Sequence, residues 1–221
     1  MKRVGYLWDR LISFENLLRS AEAACKGKRF RPDVARFHFG LERELWRLQA
    51  ELAAKSYQPG TYRAFVIREP KPRQISAAPY RDRVVHHALV NMLEPLYGRS
   101  FLPDSYACRK GKGTHAAVDR CQHFARRFRY VLKADVQKFF PSLDQETLKA
   151  LVARKIKDRD VLWLAGLIID GSNPQEEVVN HFPGDDLRPQ AAVPFHALPP
   201  LVLSQPPTSL PISSIAFVAK P

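Results

Sequence analysis

No apolar run in this 221-residue chain reaches the roughly 18 residues that a membrane span requires. The opening residues, MKRVGYLWDR, lack the apolar centre of a secretory leader. Both absences predict a soluble, cytoplasmic protein with no membrane partner. Cysteine is scarce. Cys25, Cys108 and Cys121 are odd in number and none belongs to a Cys-x-x-Cys pair, which argues against a disulfide framework and a zinc knuckle and fits a reducing compartment. His115, Cys121 and His123 lie in one helical stretch, where packing or surface chemistry is the commoner role than metal ligation. Acidic residues are also in short supply: 22 Asp and Glu stand against 35 Lys and Arg, for a net charge of +13. Such an excess points to a polyanionic partner, nucleic acid first and an anionic membrane surface second.

The shortage of acid is complete from Arg188 onward, where residues 188–221 contain no Asp or Glu and carry prolines too frequent for a helix or a central strand. The expectation is an irregular tail, disordered or frameshifted, beyond a boundary near residue 187. Elsewhere a hydrophobic content of 45% is ample for a core. Apolar residues recur at helical spacing over residues 2–25 (Leu7, Leu11, Ile12, Phe14, Leu17, Leu18) and 36–55 (Leu41, Leu45, Trp46, Leu48, Leu52), predicting two helices joined by the basic connector KGKRFRP. The turn YQPG ends the second. Two short runs, YRAFVI (62–67) and RQISAA (73–78), flank REPKP and predict an antiparallel hairpin with a basic tip. An amphipathic helix over 81–96 follows, then a loop rich in Gly, Ser, Arg and Lys over 98–113 and a helix from Thr114 to about Arg127. FRYVLKADV (128–136) reads as a strand ending on an acidic residue, and helices are expected over 143–156 and 160–169.

Asp135 closes that strand. A carboxylate there is costly unless paired or bound to a metal. Asp144, ahead of Gln145, Glu146 and Thr147, reads instead as an ordinary helix N-cap. The basic hairpin tip is compatible with a solvated turn as well as with a phosphate grip: a triphosphate favours the planar fork of an arginine.

The run VLKADVQKFFPSLD resembles the first palm motif of bacterial reverse transcriptases, the RNA-directed DNA polymerases of group II introns, retrons and diversity-generating retroelements. PKPRQISAAPYRDRVVHHALVNMLEPLY is similar to that family's fingers hairpin and following helix, and SYACRKGKGTHAA to its next block, with Ala107 and Cys108 where Gly and Phe are usual. The three blocks stand in the family's order between about Tyr62 and Leu148. The resemblance implies an α+β fold: a partial right-hand polymerase with an N-terminal helical extension (1–60), fingers and the first part of the palm (61–187), and the irregular tail (188–221). It implies Asp135 as catalytic metal ligand, with the main-chain carbonyl of Val136, for Mg2+. It implies Arg73, Lys71 and Arg68 on the nucleotide triphosphate, Phe140 as steric gate under the sugar, and Arg109, Lys110 and Lys112 on the nucleic-acid backbone. The implied partners are an RNA template, a DNA primer and deoxynucleoside triphosphates, with an accessory protein left open.

Two-metal phosphoryl transfer needs several converging carboxylates, which the family supplies from an aromatic-x-Asp-Asp hairpin. The chain has no such sequence. Asp185 and Asp186 follow Pro183-Gly184 and precede the proline-rich tail, so they read as a solvated loop. A frameshift or assembly error replacing the family's continuation is the expectation, leaving a nucleotidyltransferase by family that does not extend a primer as this chain alone. The rival is a non-catalytic, maturase-like module that holds RNA.

Overall fold

The computed structural model describes residues 3–68, 73–135, 139, 143–172 and 214–217. The helical period over residues 2–25 resolves into two helices, α1 (Trp8–Ile12) and α2 (Phe14–Cys25). Ser13 makes the break: its Oγ accepts from Asn16 N at 3.2 Å, capping α2, and donates to Arg10 O at 2.9 Å. The expected helix over 36–55 is likewise two, α3 (Pro32–Phe39) and α4 (Leu41–Ala53), separated at Gly40. Pro32 opens α3 earlier than the apolar period implied, because its fixed φ suits a first helical position. The predicted hairpin is β1 (Arg63–Ile67) and β2 (Arg73–Ala77), and the helix after it is α5 (Tyr80–Gly98). Then come α6 (Thr114–Ala125), β3 (Leu132–Asp135), α7 (Gln145–Lys155), α8 (Arg159–Asp170) and β4 (Ser214–Phe217).

The chain divides into two compact units, Met1–Ser100 with Leu143–Gln175, and Phe101–Ser142 with Glu176–Pro221. In the first, α2 lies along α5, and Leu11, Leu17, Leu45, Leu48, Leu52, Val84, Val85 and Leu164 are wholly buried. Each contributes roughly 1.5–3 kcal/mol through lost water contact. The helices expected to form an N-terminal extension therefore share a core with α5 and α8. Trp46, read as buried, is 54% exposed and instead stacks on Phe14 with ring centroids 4.9 Å apart. A polar seam locks α2 to α5. The Asn16 amide donates to Leu11 O (2.8 Å) and Ala88 O (3.2 Å), and Asn91 donates to Asn16 Oδ1 (3.0 Å) and Ser20 Oγ (3.1 Å).

Residues far apart in sequence close this unit. Val4 N donates to Lys155 O (2.8 Å) and Lys157 N to Val4 O (2.7 Å). Asp158 caps two helices at once: Oδ2 accepts from Leu7 N (2.9 Å) and Trp8 N (3.1 Å) at the start of α1, and Oδ1 from Asp160 N (3.2 Å) in α8. Asp158→Ala should cost about 1–2 kcal/mol, the range for a lost cap. Urea melts would give the loss, and amide exchange should accelerate first in residues 4–12. Unchanged exchange there would show that α1 holds without the cap.

In the second unit the strand expected over 128–136 starts only at Leu132. It pairs antiparallel with β4, Leu132 opposite Phe217 and Asp135 opposite Ser214. Four residues of the stretch expected to be irregular thus form a strand, in a tract (SIAF) free of proline. Back in the first unit, Asp144 caps α7 as expected, its carboxylate accepting from Thr147 N at 2.8 Å. Bonds from the Thr147 hydroxyl and amide hold the Asp144 carboxyl below its ordinary range.

Candidate nucleic-acid interface

The hairpin pairs Arg63 with Ala77 and Ile67 with Arg73 across five registers. All five β1 residues are exposed, including Phe65, Val66 and Ile67. The Arg63 guanidinium lies 5.7 Å from the Phe65 ring centroid. Arg68, a predicted triphosphate contact, is exposed directly after β1. Arg73 opens β2 opposite Ile67, which places its backbone next to the tip; its side chain and Lys71 lie outside the described residues. A two-stranded ribbon is marginally stable alone, so its orientation depends on how its base is fixed.

Asp82 fixes that base. It is 2% exposed on the inner face of α5, where Oδ1 accepts from Tyr57 Oη (2.7 Å) and Oδ2 from Gly60 N (2.8 Å). The chain entering β1 is thereby tied to the helix leaving β2. A Cβ at Gly60 would lie 3.0 Å from Pro79 Cγ and 3.3 Å from Asp82 Oδ2, so any larger residue there would have to push Pro79 or the carboxylate aside by a few tenths of an ångström. Burial, reinforced by the bond to Asp82, pushes the Tyr57 hydroxyl far above its ordinary pKa. The sequence reading passed over this residue. Its signal was present: Asp82 stands on the same helical face as Val85 and Leu89, three and seven residues on, where a lone acid requires buried donors.

The loop before α6 carries the predicted backbone contacts. Lys112 N donates to Arg109 O (3.1 Å), forming a tight turn in which Gly111 (φ 75°) is left-handed, as is Cys108 (φ 53°) just before it. The Arg109 guanidinium donates to Leu102 O (2.9 Å) and Ser105 O (3.1 Å), and sits 5.6 Å from the Phe101 ring centroid. Lys112 Nζ donates to Pro103 O and lies 4.9 Å from the Tyr106 ring centroid. Both cations therefore organise the loop, while Lys110 at the turn is exposed. Arg120 reinforces it through Asp104 (2.7 and 3.2 Å), and that contact holds the Asp104 carboxyl below its usual range. Gly113 caps α6 with no side-chain bond, so its first-turn amides add positive potential to that of Lys110.

Asp135 ends β3, as the sequence predicted, with its backbone paired to Ser214. Its side chain lies outside the described residues, as do Val136, Phe140, Asp185 and Asp186. Among the described residues no three of His, Cys, Asp or Glu converge as metal ligands, and no helix is long and apolar enough to cross a membrane.

No family model matches the chain. Nuclear intron maturase 1, mitochondrial, of Arabidopsis thaliana is 28% identical over 85 residues, covering 38% of this chain and 12% of that protein. Protein YkfC of Escherichia coli K12 is 29% identical over 128 residues, covering 55% of this chain and 34% of that protein. The chain is thus similar, at low identity, to part of an intron maturase, and it spans at most about a third of either of these curated relatives.

Proposed function

We propose that the chain is an RNA-binding part of a reverse-transcriptase-related protein of the intron-maturase kind, and that it does not copy RNA by itself. The observation that carries this reading is the solvent-facing hairpin, with arginines at both ends of β1 and at the start of β2, held at its base by Asp82. A ribbon exposed on this scale with cations at its tip suits a phosphate-bearing ligand. The likeness to an intron maturase supports the same partner. Asp135 is the residue this reading assigns to a magnesium ion, with the Val136 carbonyl beside it; in the parent chemistry the ion would neutralise charge on the transferring phosphate. One carboxylate does not complete a two-metal site, so no catalytic step is assigned to this chain.

Titrating labelled intron RNA against salt tests the reading. If about six phosphates are contacted, affinity should fall roughly a thousandfold between 50 and 200 mM salt, with no dependence on magnesium or nucleotide. Lys110→Ala should weaken all RNAs alike and reduce the salt slope by about one contact. Salt-independent binding would overturn the proposal. Primer extension on an RNA template, lost in Asp135→Asn, would overturn its non-catalytic half. Protection of Arg73 and Lys71 by a deoxynucleoside triphosphate would favour a retained nucleotide site over a purely RNA-holding module.

A further inference from the structure

We infer that the two ends of α3 form a second nucleic-acid contact, one that stacks the bases of an unpaired strand. Phe30, just before the helix, is 98% exposed, and Phe39, its last residue, is 97% exposed. They flank a firmly seated helix: Val34 is wholly buried, and Phe37 packs edge-on against Tyr80 with ring centroids 5.1 Å apart. The two rings are thus presented by an anchored element rather than by a loose tail. Arginine surrounds them at Arg29, Arg31, Arg36 and Arg43, all exposed. Among the described residues Arg29, Arg31 and Arg36 form no ion pair, and Asp33 is engaged by Arg83 at 3.7 Å. Eight residues of helix span about 12 Å, the length of three or four nucleotides at 3.4 Å each.

Exposed aromatic faces between free guanidinium groups match a single strand, whose bases offer π-faces and whose phosphates offer charge. A duplex hides those faces. An anionic membrane fits less well, because the exposed positions between the rings are Arg31, Pro32, Asp33, Ala35 and Arg36 rather than a continuous apolar stripe. This contact uses none of the residues of the hairpin or the loop, and shares with the proposed function only the class of partner.

The test compares Phe30→Ala/Phe39→Ala with Phe30→Tyr/Phe39→Tyr in the full chain, after circular dichroism has matched their folds. The probes are a fluorescein-labelled 12-nucleotide oligouridylate, a 12-base-pair RNA duplex, heparin, and phosphatidylcholine vesicles with phosphatidylserine. The alanine pair should bind oligouridylate at least about tenfold more weakly, and the tyrosine pair within about twofold of the parent, because tyrosine keeps a stacking face. Duplex and heparin affinities should not change. The inference is overturned if the alanine pair binds oligouridylate like the parent, if heparin binding falls equally, or if the rings affect only vesicles. Parent protein that binds intron RNA with silent phenylalanine substitutions removes this contact alone; parent protein that binds no RNA removes it together with the proposed function.

Discussion

Replacing Asp82 with alanine should destabilise the first unit by about 2–4 kcal/mol, enough to unfold a marginal domain. The carboxylate satisfies two donors, the Tyr57 hydroxyl inside the core and the amide of Gly60 at its exposed edge. Truncation strands the Tyr57 hydroxyl in a space too enclosed for water to replace the carboxylate freely, since Tyr57 is 1% exposed, and also leaves the Gly60 amide without its partner. Tyr57→Phe removes one donor and leaves the carboxylate with the other, so it should cost less, about 1–1.5 kcal/mol. Asp82→Asn keeps one acceptor oxygen and should fall between. Urea unfolding of the three variants gives the order directly. A loss below about 1 kcal/mol in Asp82→Ala would mean that the donors find other partners. RNA binding offers a second readout, because hairpin orientation should suffer in Asp82→Asn even where the fold survives.

Stability should show a plateau between about pH 6.5 and pH 10, falling on both sides. On the alkaline side, burial raises the Tyr57 hydroxyl far above its ordinary value and the Tyr80 hydroxyl to about 12. Tyr80 donates to Ala21 O at 2.7 Å; its one proton is thus committed, and His38 Nε2, also at 2.7 Å, must be the donor to it. Above pH 10 the unfolded chain loses these protons while the folded chain keeps them, so stability drops by about 1.4 kcal/mol per pH unit for each tyrosine. The Tyr80 contribution ends near pH 12, where the folded hydroxyl ionises too. On the acid side, burial first, then neighbouring cations, lowers the pKa of His87; burial also lowers that of His86. Below pH 6.5 the unfolded imidazoles take up protons that the folded ones refuse, so stability declines as pH falls. Denaturant midpoints from pH 5 to 12 would trace the curve, and Tyr57→Phe should flatten its alkaline arm. A slope unchanged by that substitution would place the titrating group elsewhere.

Elements whose periodicity is local were legible in the sequence. The hairpin, α5, α6 and α8 fall within a few residues of expectation, because alternation or a 3.6-residue stripe marks them without reference to the rest of the chain. The breaks at Ser13 and Gly40 were not, since the apolar stripe continues across both and only a capping bond or an interrupted backbone reveals them. The pairing of β3 with β4 joins segments about eighty residues apart, which no window along the chain can register. Within the candidate interface, charge marked out segments but did not sort their cations. Arg109 and Lys112 satisfy loop carbonyls, whereas Lys110 faces solvent, and the distinction rests on how the turn at Gly111 folds. Asp82 shows the converse: an acid among cations looks like surface until its donors are found.

The capping of α1 by Asp158 has a consequence for synthesis. Leu7 and Trp8 leave the ribosome about 150 residues before the carboxylate that receives their amides. Translation at 5–20 residues per second places roughly 3–12 s between the emergence of Ser100 and that of Asp158. During that interval the apolar faces destined for Ile156, Val161 and Leu164 are uncovered, which is the period when the nascent polypeptide most needs a chaperone.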